Sequence, residues 1–242
     1  QNVLSILLLP RCLRRVYHQN WTKSFQRSEE MKLLLENFKT FVNEQEQTLP
    51  QIYCDMDGVL VDFERGIVDQ INKDLQMIRK MEDKKNLVKI QRALDSLGRT
   101  EVIIDDLKGR AATSKPVRKY MYGRVGNDAD FWANLPWMPG GKELWSFISP
   151  YSPHILTSPM KKGSEIGKAF WIDSNLSPQP NEIHMSHEKY KWAVNEDGSS
   201  NVLIDDWSKN TVPWDNKGGI AIQHVNGNTA ASIAKLKELG FS

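Results

Sequence analysis

No run of about eighteen apolar residues occurs anywhere in the chain, so the sequence offers no transmembrane helix. The longest candidate, Val3 to Leu9, is too short, and Arg11, Arg14 and Arg15 follow it, whereas a secretory signal places its basic residues ahead of the apolar segment. Cysteine is scarce: Cys12 and Cys54 stand far apart, which excludes a disulfide framework and makes Cys54, inside an apolar run, a buried free thiol in a reducing cytoplasm. An excess of one charge is also lacking, since 32 Lys and Arg face 30 Asp and Glu. That balance excludes a global attraction to nucleic acid or membrane, and any polyanion contact has to be local.

Acidic residues are absent from Gln1 to Ser28, a stretch that carries Arg11, Arg14, Arg15, Lys23 and Arg27, and the composition changes at Glu29. Two expectations fit: an organellar transit segment, which would make the protein mitochondrial, or translated upstream sequence before a true start at Met31. Either way residues 1–30 read as an extension outside the core. From Met31 to Gln47, Leu33, Leu34, Phe38, Phe41 and Val42 recur at spacings of three and four, which predicts an amphipathic helix within residues 31–50. Pro50 ends it.

What is present after Pro50 is a set of short β-prone runs that end in chemistry. Gln51-Ile-Tyr-Cys leads into Asp55-Met56-Asp57-Gly58, two carboxylates and a glycine at the end of a strand, the edge at which open α/β sheets bind ligands. Asp55 can attack phosphorus while Asp57 protonates the leaving oxygen, and Gly58 lets the chain turn away beneath them. A calcium loop needs its glycine at the sixth position and a glutamate at the twelfth, whereas here the glycine is fourth, so that alternative fails. Pro153 to Leu156 leads into Thr157-Ser158-Pro159, with hydroxyls able to hold a phosphoryl oxygen. Asn201 to Ile204 ends in Asp205-Asp206, and Lys189, between these two runs, can neutralise a nucleophilic aspartate and a phosphate.

The order of these parts, Asp-x-Asp-Gly, then Thr, then Lys, then Asp-Asp, resembles the signature of the haloacid dehalogenase (HAD) superfamily. Asp55 to Phe63 is similar especially to the 5′(3′)-deoxyribonucleotidases and their bacteriophage relatives. Phe131-Trp132 with Leu135-Pro136 and Pro139-Gly140, Ile155 to Pro159, and Leu203 to Asp206 extend the likeness over about Gln51 to Phe241. The resemblance implies an α/β, Rossmann-like core with a parallel sheet and a small helical cap inserted after the first motif. It implies Asp55 as nucleophile, Asp57 as general acid and then base, and Thr157 and Lys189 as the groups that steady the phosphoryl oxygens. The implied cofactor is Mg²⁺, held by Asp55, Asp57 through its backbone carbonyl, and Asp206; Asp205 serves this ion through a bound water or instead holds Lys189. Where the family often carries an arginine before the lysine, this chain has Ser186-His187-Glu188. Lys191 is a rival, and Lys189 is favoured by its spacing from Asp205-Asp206. Ser158 and Lys161, in the loop of Thr157, are further phosphate-contact candidates.

Asp55 and Thr157 are about 100 residues apart, far more than one strand–helix crossover needs. Helical apolar spacing recurs at Ile67, Ile71 and Leu75, at Leu87, Ile90, Leu94 and Leu97, and at Val102, Ile103 and Leu107. These place a cap over residues 65–128, inserted into a core of 51–64 and 129–242. Phe63, Phe131 and Trp132 resemble the positions that shape the nucleoside pocket in the deoxyribonucleotidases, and Trp207 is a candidate for the entrance. The tail reads as a strand ending at Gln223 and a helix from Thr229 to Leu239 stopped by Gly240.

The resulting expectation is a Mg²⁺-dependent hydrolase of nucleoside monophosphates, in the cytoplasm of a cell or of a phage-infected host. Its partner is a small phosphomonoester, with no membrane and no extended nucleic acid, and a homodimer stays open. The rivals are a phosphatase of sugar phosphates or polynucleotide ends, and an idle domain of the same fold used for binding.

Overall fold

The computed structural model describes Lys32 and residues 49–80, 84–109 and 112–242. The expected extension over 1–30 lies outside the described residues, and so does the expected helix over 31–47 apart from Lys32, which is helical. Residues 49–242 form one compact unit.

Five short strands make its centre: β1 (Ile52–Cys54), β2 (His154–Thr157), β3 (Ile183–Met185), β4 (Val202–Asp205) and β5 (Ile220–Gln223). All pair in parallel, in the order β3-β2-β1-β4-β5, the doubly wound α/β arrangement expected from the sequence. Every residue of β1, β2 and β4 is buried. A parallel strand covered on both faces has no solvent side, which is why these segments read as continuous apolar runs. β3 is different, because it lies at the sheet edge and is half exposed. Its sequence, Ile-His-Met, carries no recognisable strand signal.

Topology creates the crevice. From β1 the chain steps outward to β2 and β3, then returns to the other side of β1 as β4. The loops leaving β1 and β4 therefore diverge, and between them the carboxyl edge of the sheet opens. Both acidic pairs sit on those two loops. The covering helices are α1 (Phe63–Gln76), α2 (Lys84–Ser96), α3 (Asp105–Lys108) and α4 (Ser114–Val125) between β1 and β2, followed by α5 (Ala129–Ala133) and α6 (Gly141–Ile148). α7 (Lys162–Asn175) joins β2 to β3, α8 (Ser208–Asn216) joins β4 to β5, and α9 (Thr229–Glu238) closes the chain, with Gly240 at φ +98° as its stop.

The segment between β1 and β2 is helical, with differences from the periodicity. Ile67, Ile71 and Leu75 are buried on α1, and Leu87, Ile90 and Leu94 on α2, but Leu97 falls past the end of α2 and is exposed. Val102 and Ile103 are not helical. Asn72 instead grips the Val102 backbone from both sides, accepting its N–H at 2.8 Å and donating to its carbonyl at 3.0 Å, while Ile103 points to solvent. α4 has no counterpart among the expected helices, because Pro116 and Gly123 interrupt its apolar face of Val117, Tyr120, Met121 and Val125. A buried carboxylate ties α4 to α1: Asp74 accepts from the Tyr120 hydroxyl at 2.7 Å and from Arg124 at 3.1 Å.

A second buried carboxylate shapes the loop before α4. Asp106 accepts from Arg99 at 2.8 Å, from the Ile103 N–H at 2.9 Å and from the Thr113 hydroxyl. Burial opposes its charge, yet these donors hold its pKa below the ordinary carboxylate value. A depressed pKa means stability that is present above the unfolded value of about 3.9 and lost as pH falls through the folded one. Asp106→Asn is expected to cost about 1–3 kcal/mol at pH 7 and much less near pH 3. Urea unfolding at the two pH values checks this, and an equal cost at both would exclude the charge as its origin.

Candidate active site

The loop after β1 is built around one carbonyl. The Met56 oxygen accepts the N–H groups of Val59, Leu60 and Val61, so the chain doubles back at once and leaves Asp55 and Asp57 at the strand tip. Gly58 makes this possible. Its φ is +80°, and a Cβ there would stand 2.3 Å from Oδ2 of Asp206. Gly58→Ala therefore combines a left-handed backbone cost of about 1–2 kcal/mol with displacement of the Asp206 carboxylate. The expected result is a lower melting temperature together with weakened divalent-ion binding, read by calorimetric titration. Unchanged ion affinity would refute the steric link.

Asp55 is nearly buried, and its Oδ1 accepts from the Met56 N–H at 2.8 Å and from the Lys189 ammonium at 2.8 Å. Among the described residues no donor reaches Oδ2. Lys189 opens a short 3-10 turn, Lys189–Trp192, and is itself buried, with its second bond going to Asp205 Oδ2 at 2.6 Å. Burial works against its charge, but Asp55 and Asp205 hold its pKa above the usual lysine value. Lys191 is elsewhere: exposed, and paired with Glu188.

The β4 tip delivers two unlike carboxylates. Asp205 is fully buried and both its oxygens are occupied, Oδ1 by the Trp207 N–H and Asn210, Oδ2 by Lys189 and Asn210. Its pKa is raised to about 6 by burial and by the charge of Asp55, against the pull of Lys189. This arrangement makes Asp205 the anchor of Lys189. Asp206, half-buried, has a carboxylate that no described side chain hydrogen-bonds. Burial and the charges of Asp55, Asp205 and Asp57 raise its pKa to about 7. Ligand oxygens of Asp55, Asp205 and Asp206 lie within 4.8 Å of one another, an all-oxygen, hard donor set.

The β2 tip brings a residue that sequence reasoning missed. Lys168, on α7, is buried and donates to Asp57 Oδ2 at 2.6 Å, to the Thr157 hydroxyl at 2.7 Å and to the Ser158 carbonyl at 3.0 Å. It also stands 5.2 Å from the centre of the Trp132 ring. Asp57 has a pKa raised by burial, which Lys168 opposes and Asp55 reinforces, and its Oδ1 has no hydrogen-bond partner. Thr157 is fully buried, and Ser158 donates to the Ser186 carbonyl at 2.9 Å. Nothing in the sequence around Lys168 flags it, since one lysine on a helix reads as solvated surface. Cys54, behind the site, is a buried thiol whose pKa burial pushes well up.

Asp55, Asp57, Ser158 and Asp206 floor a cleft of about 480 Å³, with Thr157, Lys168, Lys189 and Asp205 buried beneath them and outside its wall. Phe63 and Trp207 contribute to its wall, as do Lys108, Arg118 and Tyr122 from the helical segment, none of which the sequence singled out. Phe131 and Trp132 are not in that wall. Trp132 is buried behind Phe63, stacked on it at 5.0 Å with its indole N–H on the Val125 carbonyl, and Phe131 packs edge-on to both. They set the position of Phe63 from the rear. Lys161 is exposed and also outside the cleft wall.

No protein-family model matches the chain, and no curated protein matches it in sequence. Solved structures with a similar chain course include a haloacid dehalogenase-like family hydrolase from Xanthomonas campestris, with 14% identity and a TM-score of 0.45 over 80% of this chain and 93% of that one. A hydrolase from Streptococcus pneumoniae TIGR4 aligns at 10% identity and a TM-score of 0.42, over 78% of this chain and all of that one. The L-2-haloacid dehalogenase from Xanthobacter autotrophicus aligns at 11% and 0.41, over 81% and 85%. Among the described residues no helix is long and apolar enough to cross a membrane.

Proposed function

We propose that the chain is a phosphomonoester hydrolase that forms an aspartyl-phosphate on Asp55 and takes nucleoside monophosphates as substrates. The observation that carries this reading is a pair of carboxylates on one tight loop, each bonded by its own buried lysine. Asp55 accepts from Lys189 and keeps one oxygen over, while Asp57 accepts from Lys168, leaves its Oδ1 unpartnered and has its pKa raised by burial. The spare oxygen of Asp55 suits a nucleophile and the raised pKa of Asp57 a general acid.

The residues suggest a balanced sequence. Asp55 Oδ2 attacks phosphorus, the bond from phosphorus to the ester oxygen breaks, and Asp57 gives its proton to that leaving oxygen. Water then attacks the same phosphorus, Asp57 takes a proton from it, and the bond to Asp55 breaks, releasing inorganic phosphate and restoring the Asp55 carboxylate and the protonated Asp57. Lys189 neutralises charge at Asp55, Ser158 lines the cleft beside the two carboxylates, and Thr157, buried beneath it, accepts from Lys168. Lys168 also holds Asp57 in place. The oxygen donors of Asp55 and Asp206 fit Mg²⁺, and the raised pKa of Asp206 reflects the negative charge that a divalent cation would offset. Bound there, the ion supplies charge stabilisation to the phosphoryl group.

Residues 65–128 serve in this reading as a cap that excludes water and reads the leaving group. A nucleotide suits the cleft, because Phe63, Tyr122 and Trp207 offer flat surfaces for a base while Lys108 and Arg118 offer cations beside it. The test is phosphate release from nucleoside monophosphates, sugar phosphates and 3′-phosphorylated oligonucleotides, with and without Mg²⁺. Preference for a nucleotide that requires Mg²⁺ is expected. A preference for another ester would keep the mechanism and retire the substrate, and no turnover across the panel would retire both.

A further inference from the structure

A second cluster of metal-ligating side chains lies away from this site. His154 begins β2 and His184 is central in β3; the register pairs His184 with Leu156, two positions after His154, so both imidazoles lie on one face of the sheet. Thr157 lies three positions beyond His154, which puts this cluster roughly 10 Å down the strand from the strand tips of the proposed active site. Nδ1 of His154 is 3.1 Å from Nε2 of His184, and Oε2 of Glu182, just before β3, is 3.2 Å from His184 Nε2 and 3.7 Å from His154 Nδ1.

We infer that His154, His184 and Glu182 form a binding site for a transition-metal dication of the zinc class, which staples the edge strand β3 to β2. The spacing carries the argument first. Ligands about 2.0–2.1 Å from a tetrahedral zinc ion are about 3.3 Å from one another, the range spanned by the three donor atoms. Two imidazoles and one carboxylate form a donor set that suits zinc and its neighbours rather than Mg²⁺, and they leave a fourth position for water.

The surroundings orient the donors as ligands need. Tyr53 stacks on the His154 ring at 4.9 Å, and Trp192 lies 5.1 Å from the His184 ring, so neither imidazole is free to swing. The Asn181 amide stands 3.2 Å from Nε2 of His154. An amide turned to present its oxygen accepts the Nε2–H, which leaves the Nδ1 lone pair aimed into the cluster, the outer-partner arrangement common to metal-bound histidines. Glu182 is exposed, so the ion has a path from solvent. β3 is a three-residue edge strand with a half-exposed face, and one ligand on it and one just before it, joined to one on β2, supply a cross-link that its own hydrogen bonds do not.

The whole chain, stripped of metal by chelation and then saturated with Mg²⁺ to fill the oxygen site, is titrated with Co²⁺ and followed in the visible. One equivalent is expected to develop the strong d–d absorption of a four- or five-coordinate nitrogen-ligated ion, and Zn²⁺ is expected to bleach it. His184→Ala should abolish the bands, and the exposed Glu182→Gln should weaken Co²⁺ binding by at least about tenfold. Under the same Mg²⁺ saturation, Zn²⁺ should raise the melting temperature of the parent and not of His184→Ala. Absence of the bands in the parent, or bands in His184→Ala and Glu182→Gln as strong as in the parent, overturns the site and leaves a hydrogen-bonded histidine pair. Phosphatase activity does not enter these readouts, so the outcome is independent of the proposed function.

Discussion

Replacing Lys189 with methionine is expected to destabilise the fold by about 3–5 kcal/mol at pH 7, the usual cost of deleting one partner from a buried ion cluster. Methionine fills similar volume, so the loss is electrostatic. Asp55 and Asp205 would face each other without the cation that now bonds both, at 2.8 and 2.6 Å. The proton affinity of the buried Asp205 must rise, and the sign of the pH dependence follows. A carboxylate whose folded pKa lies above its unfolded value favours the folded state increasingly as pH falls. Asp205 already takes up its proton near pH 6 with Lys189 present, and without Lys189 it does so at higher pH. The deficit of Lys189→Met should therefore shrink as pH is lowered from 8 towards 5. Adding Asp205→Asn should recover part of it, because the second substitution removes one of the stranded charges. Urea unfolding of the single and double variants decides the matter; a single-variant loss below about 1 kcal/mol would mean that solvent reaches this cluster and that its burial does not isolate the charges.

The second large effect concerns turnover. Asp55→Asn should lower kcat by at least about 10⁴-fold, since a covalent route closes when its nucleophile is removed, and the folded chain should survive. Asparagine keeps the shape and the oxygen that accepts the Met56 N–H. It also removes the charge that ranks first, after burial, among the causes of the high pKa of Asp206, so Asp206 should titrate lower in this variant. Acid quenching of the parent during turnover of a ³²P-labelled nucleotide should trap label on protein, and the variant should trap none. Retention of more than about 1% of parental turnover, or equal trapping in both, would remove Asp55 from the nucleophile's place and point to direct attack by water.

Asp55, Asp57, Asp205 and Asp206 stand out in the sequence because parallel strands covered on both faces must be apolar throughout, so an abrupt run of acids marks the strand end and the ligand-binding edge together. The order of Lys189 relative to these acids marks it in the sequence, although the exposed Lys191 two residues on has the same local character, and it is Lys189 that bonds Asp55 and Asp205. No such signal marks Lys168. Its helix carries Gly167 and an exposed Phe170 beside it, so no apolar face announces which side turns inward, and its three partners come from two separate strand tips. Phe131 and Trp132 were recognised as aromatics near Phe63, but which ring faces the cleft depends on the stacking of Trp132 behind Phe63 and not on composition.

By itself, then, the sequence determined the strand-borne frame: which segments are buried strands, where each ends, and which acids those ends carry. These follow from local rules, alternation or its absence and the chemistry at the break, that act within a few residues. The tertiary structure decided which charges share a site, which lysines are desolvated, and which aromatic surfaces meet solvent. Those properties depend on distance and burial between segments far apart in the chain, such as Asp57 with Lys168 and His154 with His184. Electrostatic strength in a protein is set by that burial rather than by residue type.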